Sequence, residues 1–313
     1  MAADDSGVRP EPRPSLRHAL ANARPLVLDG ATGTELGRRG VRSDLPLWSS
    51  WGLLEAPGVV REIHAEYLRA GVDALTAATF RTHARSLAAA GLEARASELS
   101  ALAVRLAREA GEQTGRTPFV LGSAAPLEDC YHPERVPPDD ALLREHALHA
   151  RHLVHAGVDA ILVETINALR EGVAAARAAR DAGAELLVSF VCGREARLLS
   201  GEPLLEAIDA VTAFGPLAIG VNCLPPDAVG ACLPVLGRAR VPFLVYANLG
   251  APGAPLGAAA LDVTPEAFAA EARRWVEAGA ACVGGCCGAG PAHLCALVAG
   301  LPDRSPTPIP AAQ

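Results

Sequence analysis

The chain has 313 residues, half of them hydrophobic, with a formal net charge of −7 and an isoelectric point near 5.7. That balance argues against a nucleic-acid or anionic-membrane surface, and no apolar run has the length of a membrane span. Lysine is absent, all 28 basic residues being arginine, which excludes Schiff-base, pyridoxal-phosphate and P-loop chemistry.

Residues 1–14 are acidic and proline-rich, without the apolar stretch of a secretory signal. They are expected to form a disordered tail, as is the proline-rich segment 302–313; the expected compartment is the cytoplasm. Between the tails a short phrase recurs: Ala70-Gly71-Val72-Asp73, Ala156-Gly157-Val158-Asp159, Ala182-Gly183-Ala184-Glu185 and Ala278-Gly279-Ala280-Ala281. Each copy follows an amphipathic stretch rich in Ala, Leu and Arg and leads into an apolar run. Glycine just past a helix end accepts the left-handed backbone that stops the helix. The run after it reads as a buried strand.

In chain order the pattern predicts strand 26–29, helix 58–70, strand 73–80, helix 93–113, strand 119–124 and helix 139–156. Strand 159–164, helix 169–182, strand 186–191, helix 203–213 and strand 217–222 follow. Helix 227–239, strand 243–247, helix 265–278 and strand 281–285 complete the series. Repeated right-handed β/α crossovers close into a single (β/α)8 TIM barrel, here expected over residues 15–301. An open doubly wound sheet is disfavoured, since Gly30-Ala31-Thr32-Gly33-Thr34-Glu35 is only a loose version of a dinucleotide fingerprint.

Active residues of such a barrel sit at the C-terminal ends of strands. Those positions hold Asp29, Thr79 with Phe80, Ser123, Glu164, Asn222 with Cys223, Asn248, and Cys286 with Cys287. Strands six and eight are not neighbours, yet both open onto one mouth, so Cys223 and the Cys286–Cys287 pair are able to converge on one ion. Gly284, Gly285 and Gly288 allow the sharp turn that two adjacent ligands require. Three thiolates with an open fourth position suit a zinc ion that binds and activates a substrate. Such an electron-rich centre is a poor Lewis acid for hydrolysis and a good holder of a substrate thiolate. The eight cysteines do not read as a disulfide framework; reduced thiols and a metal are expected. Three merely buried packing cysteines are the plainer alternative.

His146, His149, His152 and His155 advance in steps of three, about 300° each, so that one ion cannot meet all four. They are expected on a solvated helix face. Cys130 is placed in a loop near the mouth, and Cys192, Cys232, Cys282 and Cys295 are expected to pack.

The motifs Leu28-Asp29-Gly30-Ala31-Thr32-Gly33-Thr34-Glu35-Leu36, Gly220-Val221-Asn222-Cys223 and Gly284-Gly285-Cys286-Cys287-Gly288 resemble those of the homocysteine S-methyltransferase family. The last two together are highly specific, and the resemblance covers about residues 25–300. It implies a zinc-bearing (β/α)8 barrel with Cys223, Cys286 and Cys287 as ligands. It also implies that Asp29 and Gly30 meet the amino-acid end of homocysteine and that Glu164 binds its ammonium. Thr79, Phe80 and Asn222 at the same mouth complete the expected substrate-binding set. The implied reaction is in-line displacement: the homocysteine thiolate attacks a methyl group on a positively charged donor, giving methionine. A sulfonium donor leaves as a neutral thioether, so no general acid is required. The expected partners are these small molecules, with neither nucleic acid nor membrane.

Donor identity is less marked. A chain of this length favours a direct donor, S-methylmethionine or S-adenosylmethionine, over added cobalamin and folate modules. Few aromatics (4%) disfavour a betaine cage, although Trp48, Trp51, Tyr246 and Phe80 are candidates for the donor pocket. Arg81 is unusual for the family at that position, where it would repel a cationic donor or grip a carboxylate. The segment 123–131 is shorter than in S-methylmethionine-using members. Two rivals remain: an enzyme that takes methyl from a corrinoid, and a non-catalytic zinc- or thiol-binding barrel. Asp29 and Glu164 at the mouth count against the second.

Overall fold

Eight short apolar segments form parallel strands in the structure, a computed structural model that describes residues 14–249 and 263–301. The tails expected at 1–14 and 302–313 lie outside the described residues, apart from Pro14. The strands are β1 (Leu26–Val27), β2 (Ala74–Ala77), β3 (Phe119–Ala124), β4 (Ala160–Ile166), β5 (Leu186–Phe190), β6 (Ala218–Asn222), β7 (Phe243–Ala247) and β8 (Ala280–Gly285). Consecutive strands from β2 to β8 pair in parallel, and β1 pairs with β8. A parallel bridge between Leu28 and Ala74 joins β1 to β2 and completes the ring. The result is the expected (β/α)8 barrel.

Period-two alternation sorts each strand between two cores. Leu121, Leu162, Leu187, Ala218 and Leu244 fill the lumen, sealed below by Leu16 and Leu20 of the short helix Leu16–Ala21. Val120, Ile161, Val188, Ile219, Val245 and Val283 face outward into the helical layer beside Leu99, Leu153 and Trp275. The predicted helices appear as Pro57–Ala70, Ala96–Thr114, Asp139–Ala156, Leu169–Asp181, Leu204–Thr212, Pro226–Leu236 and Pro265–Glu277.

Five α-helices had no counterpart in the sequence pattern: Leu16–Ala21, Thr32–Arg38, Ser50–Glu55, Ala84–Ala88 and Pro291–Gly300. Four are too short to show a 3.6-residue period. The fifth is apolar almost all round, wedged against Pro265–Glu277 and Pro57–Ala70, and so shows no polar face.

Two departures concern histidine and cysteine. His146 and His149 are buried, His152 is partly so, and only His155 is exposed, so the row is not one solvated face. His146 and His149 continue the inward stripe of Leu142 and Leu153. There His146 Nε2 meets Glu171 Oε1 at 3.2 Å and His149 Nε2 donates to the Ser123 carbonyl at 3.2 Å. Burial lowers the His149 pKa to about 4 and keeps it neutral. Cys192, Cys232 and Cys282 are buried as expected, whereas Cys295 is exposed.

The recurrent Ala-Gly-Val-Asp phrase has a structural cause. Gly71 and Gly157 stop their helices with φ of 100° and 82°. The aspartate two residues later accepts a backbone N–H from the neighbouring strand: Asp73 from Val27 at 2.9 Å, Asp159 from Val120 at 2.7 Å. Arg24 and Arg108 pair with these carboxylates, each at 3.0 Å. Asp159→Ala is therefore expected to lower stability by about 1–2 kcal/mol through the orphaned Val120 N–H. Urea unfolding would show it as a lower midpoint at unchanged slope; an unchanged midpoint would contradict this role.

Candidate active site

The chain leaves β6 through Cys223, whose φ is 56°, a left-handed conformation rare outside glycine. Cys286 and Cys287 follow β8. The three sulfur atoms lie within 4.8 Å of one another. Those of Cys223 and Cys286 are in direct contact as a disulfide pair, with Cα atoms 5.7 Å apart, while Cys287 is a free thiol. Of these three, only Cys287 is a free thiol, where the sequence predicts all three reduced. Trp48 on the pocket wall is likewise left-handed, with φ of 41°, and Thr165, after Glu164, shares the strain of Cys223 with φ of 58°. Asn222, which precedes Cys223 in the chain, bonds Thr165 twice: its Oδ1 accepts from Thr165 N at 2.9 Å, and its Nδ2 donates to Thr165 Oγ1 at 2.8 Å and toward Cys286 Sγ at 3.9 Å. Strain of this kind persists where surrounding contacts over-determine the backbone.

Once reduced, the three thiols are a suitable donor set for a thiophilic cation. Burial, and after it the nearby Glu164 carboxylate, pushes the Cys287 thiol up to about 12. A thiolate at neutral pH in this position needs a compensating positive charge, which a soft divalent ion supplies.

Two carboxylates face the same pocket. Glu164, at the end of β4, takes hydrogen bonds from the hydroxyls of Ser123 and of Tyr246, the latter at 3.0 Å. Burial raises its pKa to about 7 in spite of those donors. Asp29 accepts the Thr76 N–H at 2.9 Å, and burial raises it well above the ordinary carboxylate value, Glu164 adding repulsion. Behind Asp29 stands His64, fully buried, with Nδ1 3.8 Å from Asp29 Oδ2. Burial depresses His64 to about 4, so it is neutral and the contact is not an ion pair. Two buried acids with no fixed cation between them among the described residues are chemically suited to a cationic ligand.

The pocket holding these groups has an empty volume of ≈ 710 Å³, its open mouth included. Asp29, Gly30, Phe80, Glu164, Cys223, Cys286 and Cys287 all line it. Thr79 and Asn222 stand behind the wall, Thr79 donating to the Ser123 carbonyl at 2.9 Å. One side is aromatic: Trp48 and Phe80, ring centroids 5.6 Å apart, with Tyr131. Gly33 makes this possible, since a Cβ there would fall 1.6 Å from Trp48 Nε1. Trp51 lies outside, under the Arg42 guanidinium at 3.5 Å. Among the described residues no basic side chain lines the pocket.

Arg81 does not reach the mouth as expected. It is buried, donating to the carbonyls of Pro126 at 3.2 Å and Glu128 at 3.0 Å, and so anchors the loop that carries Cys130 and Tyr131 into the wall. Sequence reasoning missed Thr76 and His64. Thr76 was detectable in principle, as an inward polar position of period two on β2; His64 shares the apolar face of its helix and gave no signal.

The family model described as homocysteine S-methyltransferase matches residues 26–301. The homocysteine S-methyltransferase of Escherichia coli (strain K12) is 32% identical over 316 residues, covering 91% of this chain and 97% of that protein. Homocysteine S-methyltransferase YbgG of Bacillus subtilis (strain 168) is 29% identical over 303 residues, covering 89% and 95%. The metallated form of the homocysteine methyltransferase MmuM from Escherichia coli superposes with a TM-score of 0.79 at 30% identity, covering 91% of this chain and 99% of that one.

The raised Glu164 pKa has a sign that can be tested. Its ordinary value is 4.5, so between there and about 7 the native state retains a proton that the unfolded chain has lost. Stability is expected to fall as pH rises through that window, by up to roughly 1.4 kcal/mol per unit. Glu164→Gln should flatten this part of the curve in denaturant titrations; an unaltered slope would assign it elsewhere.

Proposed function

Because this chain belongs to the homocysteine S-methyltransferase family, whose reaction carries a methyl group to the thiol of homocysteine, we propose that its transfer is zinc-dependent and draws on a small cationic donor, S-methylmethionine or S-adenosylmethionine. The observation that carries the proposal is the sharing of one pocket by three sulfurs within 4.8 Å and the carboxylates of Asp29 and Glu164. One end suits the sulfur of homocysteine and the other its ammonium. Cys223, Cys286 and Cys287, all reduced, would hold zinc, whose charge keeps the homocysteine sulfur ionised near neutral pH.

The remaining work falls to the chain's own groups. Glu164, braced by Ser123 and Tyr246, accepts the substrate ammonium together with Asp29. Gly30 lets the segment after Asp29 pack closely on its neighbours: a Cβ there would come within 2.2 Å of the Ala289 carbonyl and 2.8 Å of the Tyr67 hydroxyl. Trp48, Phe80 and Tyr131 offer ring faces to a sulfonium, which an aromatic surface attracts while excluding water. Among the described residues the wall has no cation to repel such a donor. During displacement the homocysteine sulfur forms a bond to the methyl carbon, and the electrons of the breaking bond return to the donor sulfur. The product is methionine and the donor leaves as a neutral thioether, so no proton donor is needed. Alignment of the two sulfur atoms around the methyl group is the chief source of rate.

The test is a donor panel. Reduced, zinc-loaded protein with homocysteine is expected to form methionine from S-methylmethionine or S-adenosylmethionine and not at comparable rate from betaine. Turnover with methylcobalamin alone would overturn the donor assignment. Cys223→Ser, Cys286→Ser and Cys287→Ser should each lose zinc and at least about 100-fold in activity with circular dichroism unchanged; collapse of the fold would make the metal structural. The KM for homocysteine should rise as pH falls below about 7, where Glu164 takes up its proton, and this acid limb should vanish in Glu164→Gln.

A further inference from the structure

The turn after β8 has the hardest conformational task in the site. Two successive residues must point sulfur atoms at one place, and neither a helical nor a sheet ladder continues through them. Its backbone polar groups are instead claimed one by one. Cys286 N donates to the Ala247 carbonyl at 2.7 Å, and Leu249 N donates to the Cys287 carbonyl at 2.6 Å. Gly288, with φ of 88°, lets the chain turn away.

Both polar groups of Gly288 are held by side chains of one short helix, Thr32–Arg38. Gly288 N donates to Thr34 Oγ1 at 3.2 Å, and Arg38 Nη2 donates to the Gly288 carbonyl at 2.9 Å. Arg38 is oriented in turn by Glu35, a buried carboxylate 2.5 Å from Arg38 Nη1. Glu35 and Arg38 lie against Gly290, where a Cβ would fall 2.6 Å from Glu35 Oε1 and 2.9 Å from Arg38 Nη1. The helix itself packs on the barrel through Leu36.

We propose that Thr34 and Arg38, the latter aimed by Glu35, are positioning residues for the two-thiol turn. They clasp Gly288 so that Cys286 and Cys287 face Cys223 before cation or substrate arrives. The inference rests on the zinc-dependent reading above and gives the Thr34-Glu35 motif a role apart from contact with substrate. A turn left without its clasp must be ordered by the metal itself, and the ordering lowers metal affinity.

Zinc affinity of the reduced full-length protein, measured by competition with a chromogenic chelator, tests this without reference to turnover. Thr34→Val and Arg38→Met are each expected to weaken zinc binding roughly tenfold, and Arg38→Lys to stay within about threefold of wild type, as outer-shell substitutions do. The KM for homocysteine should rise in the first two, while kcat at saturating zinc stays near wild type. Zinc affinities unchanged in Thr34→Val and in Arg38→Met, with native circular dichroism, would overturn the clasp and leave the zinc reading intact. A wild type that binds no zinc would overturn both. Should Arg38→Met fail to fold, Thr34→Val decides, being nearly isosteric; retention of full affinity there would be the overturning result.

Discussion

Cys223 ends β6 and Cys286 begins the turn after β8, with β7 between them. On a flat sheet two such ends lie about 10 Å apart, twice the spacing of neighbouring strands. Their Cα atoms are 5.7 Å apart. Curvature of the ring and the inward turns of two strand ends close that gap, and every other property of the site follows from it. The strain at Cys223 and at Thr165 is part of the same constraint, because a left-handed residue after the strand turns the side chain across the mouth instead of along it. Asn222, which precedes Cys223 in the chain, bonds Thr165 twice and reaches toward Cys286, so the sulfur cluster and the Glu164 end are braced by one amide.

The electrostatics of the pocket run in one direction. Asp29 and Glu164 are both buried, both raised by that burial, and have hydroxyl and backbone donors but no arginine. Elsewhere the fold pairs its acids readily, as Arg24 with Asp73 and Arg85 with Glu145 show. Among the described residues the pocket wall therefore carries acids without a basic partner, and a cationic ligand is what would relieve the cost of burying them. Arg81, the one basic residue near the mouth by sequence, is turned away to hold the loop bearing Tyr131.

The barrel itself was legible because its signals are local: a left-handed glycine closes most of the long helices, and an apolar run follows. The strand-end residues were legible for the same reason, since topology alone assigns them to one mouth. What stayed hidden depended on neighbours distant in sequence. His146 and His149 are as polar as His155, and only the packing of their helix against Glu171 and the Ser123 carbonyl makes them core. Ser123 and Tyr246 were visible as strand-end residues, but nothing in the sequence joined them to Glu164. His64 falls on an apolar helical face and left no trace of its approach to Asp29.

Residue types and their order were enough to determine a repeating β/α chain, its closure into eight units, and which thiols and acids end up on one face, because period and turn chemistry are written in adjacent residues. Tertiary structure alone decided which of those residues meet: three sulfurs within a few ångströms, two acids without an arginine, a tryptophan lying where Gly33 has no side chain. Such contacts are set by curvature, strand stagger and packing between segments that are not adjacent in the sequence, and no local pattern encodes a distance.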